Sequence, residues 1–145
     1  MDNAVLISRG PAQPYFRTIA FQVPGEGVVG QYVLATVIGA ITMHYVGLRC
    51  RQTLVSAGGG TIVLGSALDL NGIIAITTGT DVVVNDWWTT ATPTASTAPA
   101  IADVAFTSGL VLGVGTADIT AGILEMSVWW SPATLGSQLL FAGVA

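Results

Sequence analysis

Charge is what this sequence has least of. Of 145 residues only 8% are charged, none is lysine, and the basic residues are Arg9, Arg17, Arg49 and Arg51 alone. Typical soluble domains carry about 25% charged residues. Four arginines in a chain of formal net charge −4 do not form the cationic patch that displaces counterions from phosphates, so nucleic-acid binding is not expected. Cysteine is nearly absent too: Cys50 is the only one, which excludes an intrachain disulfide and with it a disulfide-stapled secreted scaffold. Histidine is represented by His44 alone, so a Cys/His metal cluster cannot be assembled from these two residues. The N-terminus has an early acid and no basic stretch before an apolar run, and reads as a poor signal peptide.

Apolar residues make up the balance, at 52% of the chain and a mean hydropathy of +0.72. Residues 27–48 form a long stretch without a formal charge and are the only serious candidate for a membrane span. That stretch contains Gly30, Gly39 and Gly47, the polar Gln31, Thr36, Thr42 and His44, and many β-branched and aromatic side chains. Two strands joined near Gly39-Ala40 fit it better than a helix, and no membrane partner is expected. A chain this poor in charge is weakly protected against self-association. Much of its surface is therefore expected to be covered by other protein.

Along the chain the pattern is β. Residues 1–26 are punctuated by Pro11, Pro14 and Pro24 and read as an irregular N-terminal arm. The arm still carries Tyr15, Phe16 and Phe21, so it is expected to dock on a neighbour or fold back on its own domain. Strands are expected over 28–38, 41–55 (with a kink at Gly47), 61–65, 73–77, 82–85, 109–114 and 122–130. In the second of these Ile41, Met43 and Tyr45 alternate with Thr42, His44 and Val46; further on, Arg49 and Arg51 share one face. In the last strand Leu124, Met126, Val128 and Trp130 take one face, while Glu125, Ser127 and Trp129 take the other. Residues 66–71 offer a helical turn, with Ser66 as N-cap and Asp69 at the capping-box position. Residues 89–100 are Thr, Ala, Ser and Pro and read as an exposed loop. Together these give an all-β domain, a β-sandwich or jelly roll, over 27–132, with the arm before it and an apolar C-terminal tail over 133–145.

Nothing in the chain has the spacing of a catalytic or cofactor motif, and no cofactor or small-molecule substrate is expected. Ala57-Gly58-Gly59-Gly60-Thr61 lacks the lysine of a phosphate loop. Asp69-Leu70-Asn71-Gly72 resembles the start of a calcium loop without its later ligands. Asp69, Asp81, Asp86, Asp103 and Asp118 all lie in or near turns, where aspartate commonly caps the backbone. His44 has no nucleophile elbow near it and reads as a hydrogen-bonded strand histidine. The tryptophan pairs, Trp87-Trp88 and Trp129-Trp130, are the most distinctive feature. Neighbouring strand residues point to opposite faces, so each pair should bury one indole and present the other. An outward indole suits a protein interface better than a sugar platform here, because convergent polar groups are few. The candidate interface residues are Tyr15, Phe16, Phe21, Trp87 and Trp129.

Three segments carry a family resemblance: Gly58-Gly-Gly-Thr-Ile-Val-Leu-Gly-Ser-Ala67, residues 69–80, and Gly115-Thr-Ala-Asp-Ile-Thr-Ala-Gly-Ile-Leu-Glu125 with its closing strand to Pro132. In these patterns of glycine turns and small residues the chain resembles the small capsid decoration, or cement, proteins of tailed bacteriophages. The resemblance implies a non-enzymatic virion protein on the capsid surface. It further implies a homotrimer whose partner is the major capsid protein and which stabilises the head by bridging capsid subunits. A tail, baseplate or head–tail connector component is the alternative within the same class. A carbohydrate-binding module and an outer-membrane β-protein are rivals from other classes; the strands look too short and irregular for the latter.

Overall fold

The computed structural model describes residues 13–95 and 104–141. It is built from ten strands: β1 Gln13–Ala20, β2 Gly30–Ile38, β3 Ile41–Val55, β4 Thr61–Ser66, β5 Ile74–Thr78, β6 Trp87–Trp88, β7 Val104–Phe106, β8 Leu110–Gly115, β9 Ala121–Pro132 and β10 Gln138–Phe141. The described helical structure is one 3₁₀ turn, Gly79–Asp81, and no helix there is long and apolar enough to cross a membrane. All pairings are antiparallel and fall into two sheets. The first sheet runs β1-β9-β3-β6, with β7 also on β3; the second runs β10-β2-β8-β4-β5. The fold is the all-β sandwich that the composition and turn spacing predict.

Alternation builds the core. On β9, Leu124, Met126, Val128 and Trp130 are buried, whereas Trp129 stands out, as the period of two requires. They pack against Leu34, Leu64, Leu110 and Leu112 from the second sheet in one cluster. The β8 strand is buried almost throughout. Its inward residues face the core, and the loop after β4 folds over the outer side, where Ala67 N–H bonds the Gly109 carbonyl. Burial on both sides explains an uninterrupted apolar run.

Several sequence expectations are corrected. The N-terminal arm is, from Gln13 onward, a strand of the domain's own sheet, paired along its whole length with β9. Pro14 is tolerated because β1 lies at a sheet edge, where a missing N–H leaves no ladder bond unmade. The rest of the arm, residues 1–12, is outside the described residues. The C-terminal tail likewise supplies β10, which pairs with β2. Residues 82–85 run beside β3 and bond to it, Leu54 N–H to the Val82 carbonyl and Asn85 N–H to that of Cys50, without forming a strand. Asn85 has φ +74°, and this left-handed turn breaks the ladder. Residues 67–71, after the end of β4, form bends and a turn and no helix, although the expected cap is made: the Asp69 N–H donates to Ser66 Oγ at 3.0 Å. One turn fixes several dihedrals for a single bond, and Gly72 closes it before it can propagate.

Strand β3 departs from plain alternation at one informative point. Its register on β9 shifts between Met43 and Tyr45, so His44 is an inserted bulge residue. Beyond it the faces are exchanged: Val46, Leu48 and Cys50 are buried, and Tyr45 joins the outer face instead of following Met43 inward. The expected kink at Gly47 is replaced by this bulge. Gly47 itself pairs in register with Ser127 and leaves room for the Tyr45 ring, whose hydroxyl occupies the space a Cβ would need.

The two sheets are tied by a buried polar bond. Trp88 of β6 has no exposed surface, and its indole N–H donates to Thr77 Oγ1 of β5 at 2.9 Å. Thr77→Val keeps the volume but leaves the indole N–H buried without this acceptor. It is expected to lower stability by about 1–3 kcal/mol. Thermal unfolding should read this as a fall of roughly 2–4 °C per kcal/mol.

Candidate functional site: an aromatic outer face on the first sheet

The outer face of the first sheet gathers side chains that are far apart in sequence. Register places Trp129 between Pro14 of β1 and Tyr45 of β3. The next outward row is Phe16, Ser127 and Gly47; the one after it contains Thr18, Glu125 and Arg49. Trp87 of β6 pairs with Arg49 and extends the third row. Phe16 is 66% exposed and Trp129 40%, and Tyr45 and Trp87 are half-buried. The result is a stripe of aromatic rings ending in charged groups. Arg51 Nη1 lies 3.0 Å from Glu125 Oε2, and Arg49 Nη2 donates to Asn85 Oδ1 at 3.3 Å.

Of the five candidate interface residues, the fold brings three to this face: Phe16, Trp87 and Trp129. The other two point inward. Phe21 is 3% exposed and belongs to the core, so it cannot serve as a surface contact of the folded chain. Tyr15 packs against the same core, and its burial raises the phenol above its usual range. Both follow from β1 being a strand: residues 15, 17, 19 and 21 face in, while 14, 16, 18 and 20 face out. Tyr45 is the member of the face that the sequence reading missed. Strict alternation placed it with Met43, and only the bulge at His44 turns it outward. Burial pushes its phenol up as well.

The remaining chemistry-bearing residues serve the fold. His44 Nε2 lies 2.7 Å from Ser131 Oγ, beside a shallow depression of about 380 Å³ lined also by Thr42, Pro132 and Ala133. The pair links the bulge of β3 to β9. Cys50 is buried, its thiol is pushed up by burial, and it donates to the Gln52 carbonyl at 3.0 Å. A protonated, enclosed thiol is a poor nucleophile. Asp69 Oδ1 accepts from Asn71 N–H, Asp86 Oδ2 from Val83 N–H, and Asp118 Oδ1 from Val29 N–H. Asp69 and Asp86 thus cap their own turns, and Asp118 holds the turn before β2 to that before β9. Asp103 lies outside the described residues. Among the described residues no three His, Cys, Asp or Glu side chains stand close enough together to hold a metal ion. Arg17 faces inward from β1 and pairs with Glu26 at 2.8 Å, which ties the first strand to the turn that follows it.

No described protein family matches the sequence, and no curated protein matches it. A phage capsid structure contains a chain of this fold. It comes from the acidic stable capsid structure of Helicobacter pylori bacteriophage KHP30, with a TM-score of 0.55 at 10% sequence identity. The likeness covers 90% of this chain and 94% of that one. It therefore extends over both sheets and is not confined to a shared hairpin.

Proposed function

We propose that this chain is a structural protein of a phage virion, a decoration or cement protein that lies on the outside of the head and bridges major capsid proteins. The observation that carries this reading is the fold shared with a chain of a phage capsid structure over nearly the full length of both. The resemblance of the glycine-turn segments to decoration proteins points the same way. The outer face of the first sheet is the surface that grips the shell. Its composition suits a partner of a different kind: exposed Phe16 and Trp129, half-buried Tyr45 and Trp87, and the two arginines Arg49 and Arg51. Aromatic residues and arginine are the types enriched where separately folded proteins recognise each other. Each grip need be only modest, because a copy that holds two neighbouring capsid subunits gains through effective concentration.

The test uses shells of the cognate phage assembled without this chain, mixed with purified protein and pelleted. Wild type should co-sediment saturably. Trp129→Ala removes a central aromatic anchor, a change that typically costs about 2 kcal/mol or more. Binding should weaken at least about thirty-fold on that basis. The fold should survive, since Trp129 lies outside the core. If Trp129→Ala and Phe16→Asp both bind as wild type does, this face is not the grip.

A further inference from the structure

Two of the described arginines have a carboxylate of their own chain: Arg17 lies 2.8 Å from Glu26 and Arg51 3.0 Å from Glu125. Arg49 has none within ion-pair distance among the described residues. Its Nη2 donates to a neutral group, Asn85 Oδ1, at 3.3 Å. An exposed arginine is ordinarily just a solvated charge. Three features set this one apart. It stands in the aromatic face, paired across the sheet with Trp87, in the row next to that of Phe16. Its neutral partner is fixed by backbone: Asn85 N–H bonds the Cys50 carbonyl, Cys50 N–H bonds the Asp86 carbonyl, and Asn85 takes the left-handed φ of +74°, which asparagine tolerates better than most residues. Finally, the chain is acidic, with a formal net charge of −4, yet on the outward strand positions of this sheet two arginines face one glutamate. A positive charge is left uncancelled on one face of an acidic protein.

We propose that Arg49 receives a carboxylate from the shell protein, an aspartate or glutamate standing among apolar residues in the segment that this face grips. The proposal rests on the reading of the face as the shell-binding surface and adds the chemistry of its partner. Charge complementarity selects that partner. An uncharged apolar segment would bury the guanidinium with only Asn85 to bond it, which is costly. A second copy of the same face would bring arginines together. A nucleic acid calls for a patch of cations, and the other arginines here are already paired. The guanidinium carries five N–H donors in a planar fork, and Asn85 occupies one, so enough remain to match both oxygens of a carboxylate. Asn85 is then a positioning residue. It holds the fork in place before the partner arrives and, being neutral, leaves the charge free for it.

Co-sedimentation with shells of the cognate phage assembled without this chain tests this, with salt as the second variable. Wild-type binding should weaken as ionic strength rises. Arg49→Gln removes the charge from an exposed side chain, so folding should persist. It should bind at least about thirty-fold more weakly, because the partner's carboxylate is left buried and unpaired. The binding that remains should be insensitive to salt. Arg49→Lys should recover only part of the loss, since an ammonium lacks the fork. Asn85→Asp keeps the acceptor and the tolerance of a left-handed backbone, but gives Arg49 a counter-ion within its own chain. It should fold as wild type does and lose shell binding about as far as Arg49→Gln. If Asn85 served only the fold, Asn85→Asp would bind normally. Trp129→Ala separates the two readings: if it weakens binding while Arg49→Gln and Asn85→Asp bind as wild type does, the face still grips the shell and the acidic partner is wrong. Equal salt dependence in wild type and Arg49→Gln would overturn the proposal as well. So would self-association of the isolated protein that Arg49→Gln abolishes, since the carboxylate would then belong to a second copy.

Discussion

Trp88→Ala is expected to lose about 3–5 kcal/mol of stability, the range for removing a fully buried large aromatic side chain. Domains of this size are stable by only about 5–15 kcal/mol, so the variant should be marginal at physiological temperature. The reason is positional. Trp88 has no exposed surface, belongs to the first sheet and donates to Thr77 of the second, so truncation opens a cavity between the sheets and removes their buried polar link. Chemical denaturation monitored by circular dichroism would measure the loss. A drop below about 1 kcal/mol would mean that the site collapses around the smaller side chain and that Trp88 does not wedge the sheets.

Gly65→Ala should be nearly as damaging, by a different route. Gly65 lies within β4, and a Cβ there would run into the carbonyl oxygens of Asp69 and Leu70, both backbone atoms of the loop that folds over the second sheet. Relief requires lifting residues 66–73 off the sheet. That strains the bond from Ser66 N–H to the Asp69 carbonyl and the one from Ile73 N–H to the Leu64 carbonyl. Overpacking of this kind costs about 1–3 kcal/mol, and more where backbone must move. Hydrogen exchange should show lost protection concentrated in residues 66–73. Gly59→Ala is the control: nothing stands within 4 Å of its Cβ position, so only its left-handed φ of +71° opposes the change. That penalty is about 1–2 kcal/mol and should leave the 66–73 loop protected. Equal exchange in the two variants would refute the clash.

Most of the sandwich is legible in the sequence because period-two alternation and glycine turns act locally. Strand β9 shows this best, with its inward and outward sides assigned correctly from Leu124 to Trp130. The misreadings have physical causes that lie outside any local window. Prolines at 11, 14 and 24 suggested an irregular arm, but an edge strand tolerates Pro14, and which strand lies at the edge is decided by pairing across the whole chain. The inserted residue at His44 exchanges the faces of β3 without any sequence mark, so Tyr45 was assigned to the wrong side. Residues 82–85 have the β-branched composition of a strand and hydrogen bonds to β3, yet the left-handed turn at Asn85 prevents a ladder. The candidate site was visible as two outward tryptophans and a phenylalanine. That Phe16, Trp87 and Trp129 share one face depends on β1, β9, β3 and β6 being neighbours, which no spacing reveals.

Electron cryo-microscopy of the intact virion should show density for this sandwich on the outer surface of the head, seated across neighbouring capsid subunits, with Phe16, Tyr45 and Trp129 of the first sheet against the shell. Density for the chain in the tail or baseplate, or a head whose outer surface carries no copy of this fold, would contradict it.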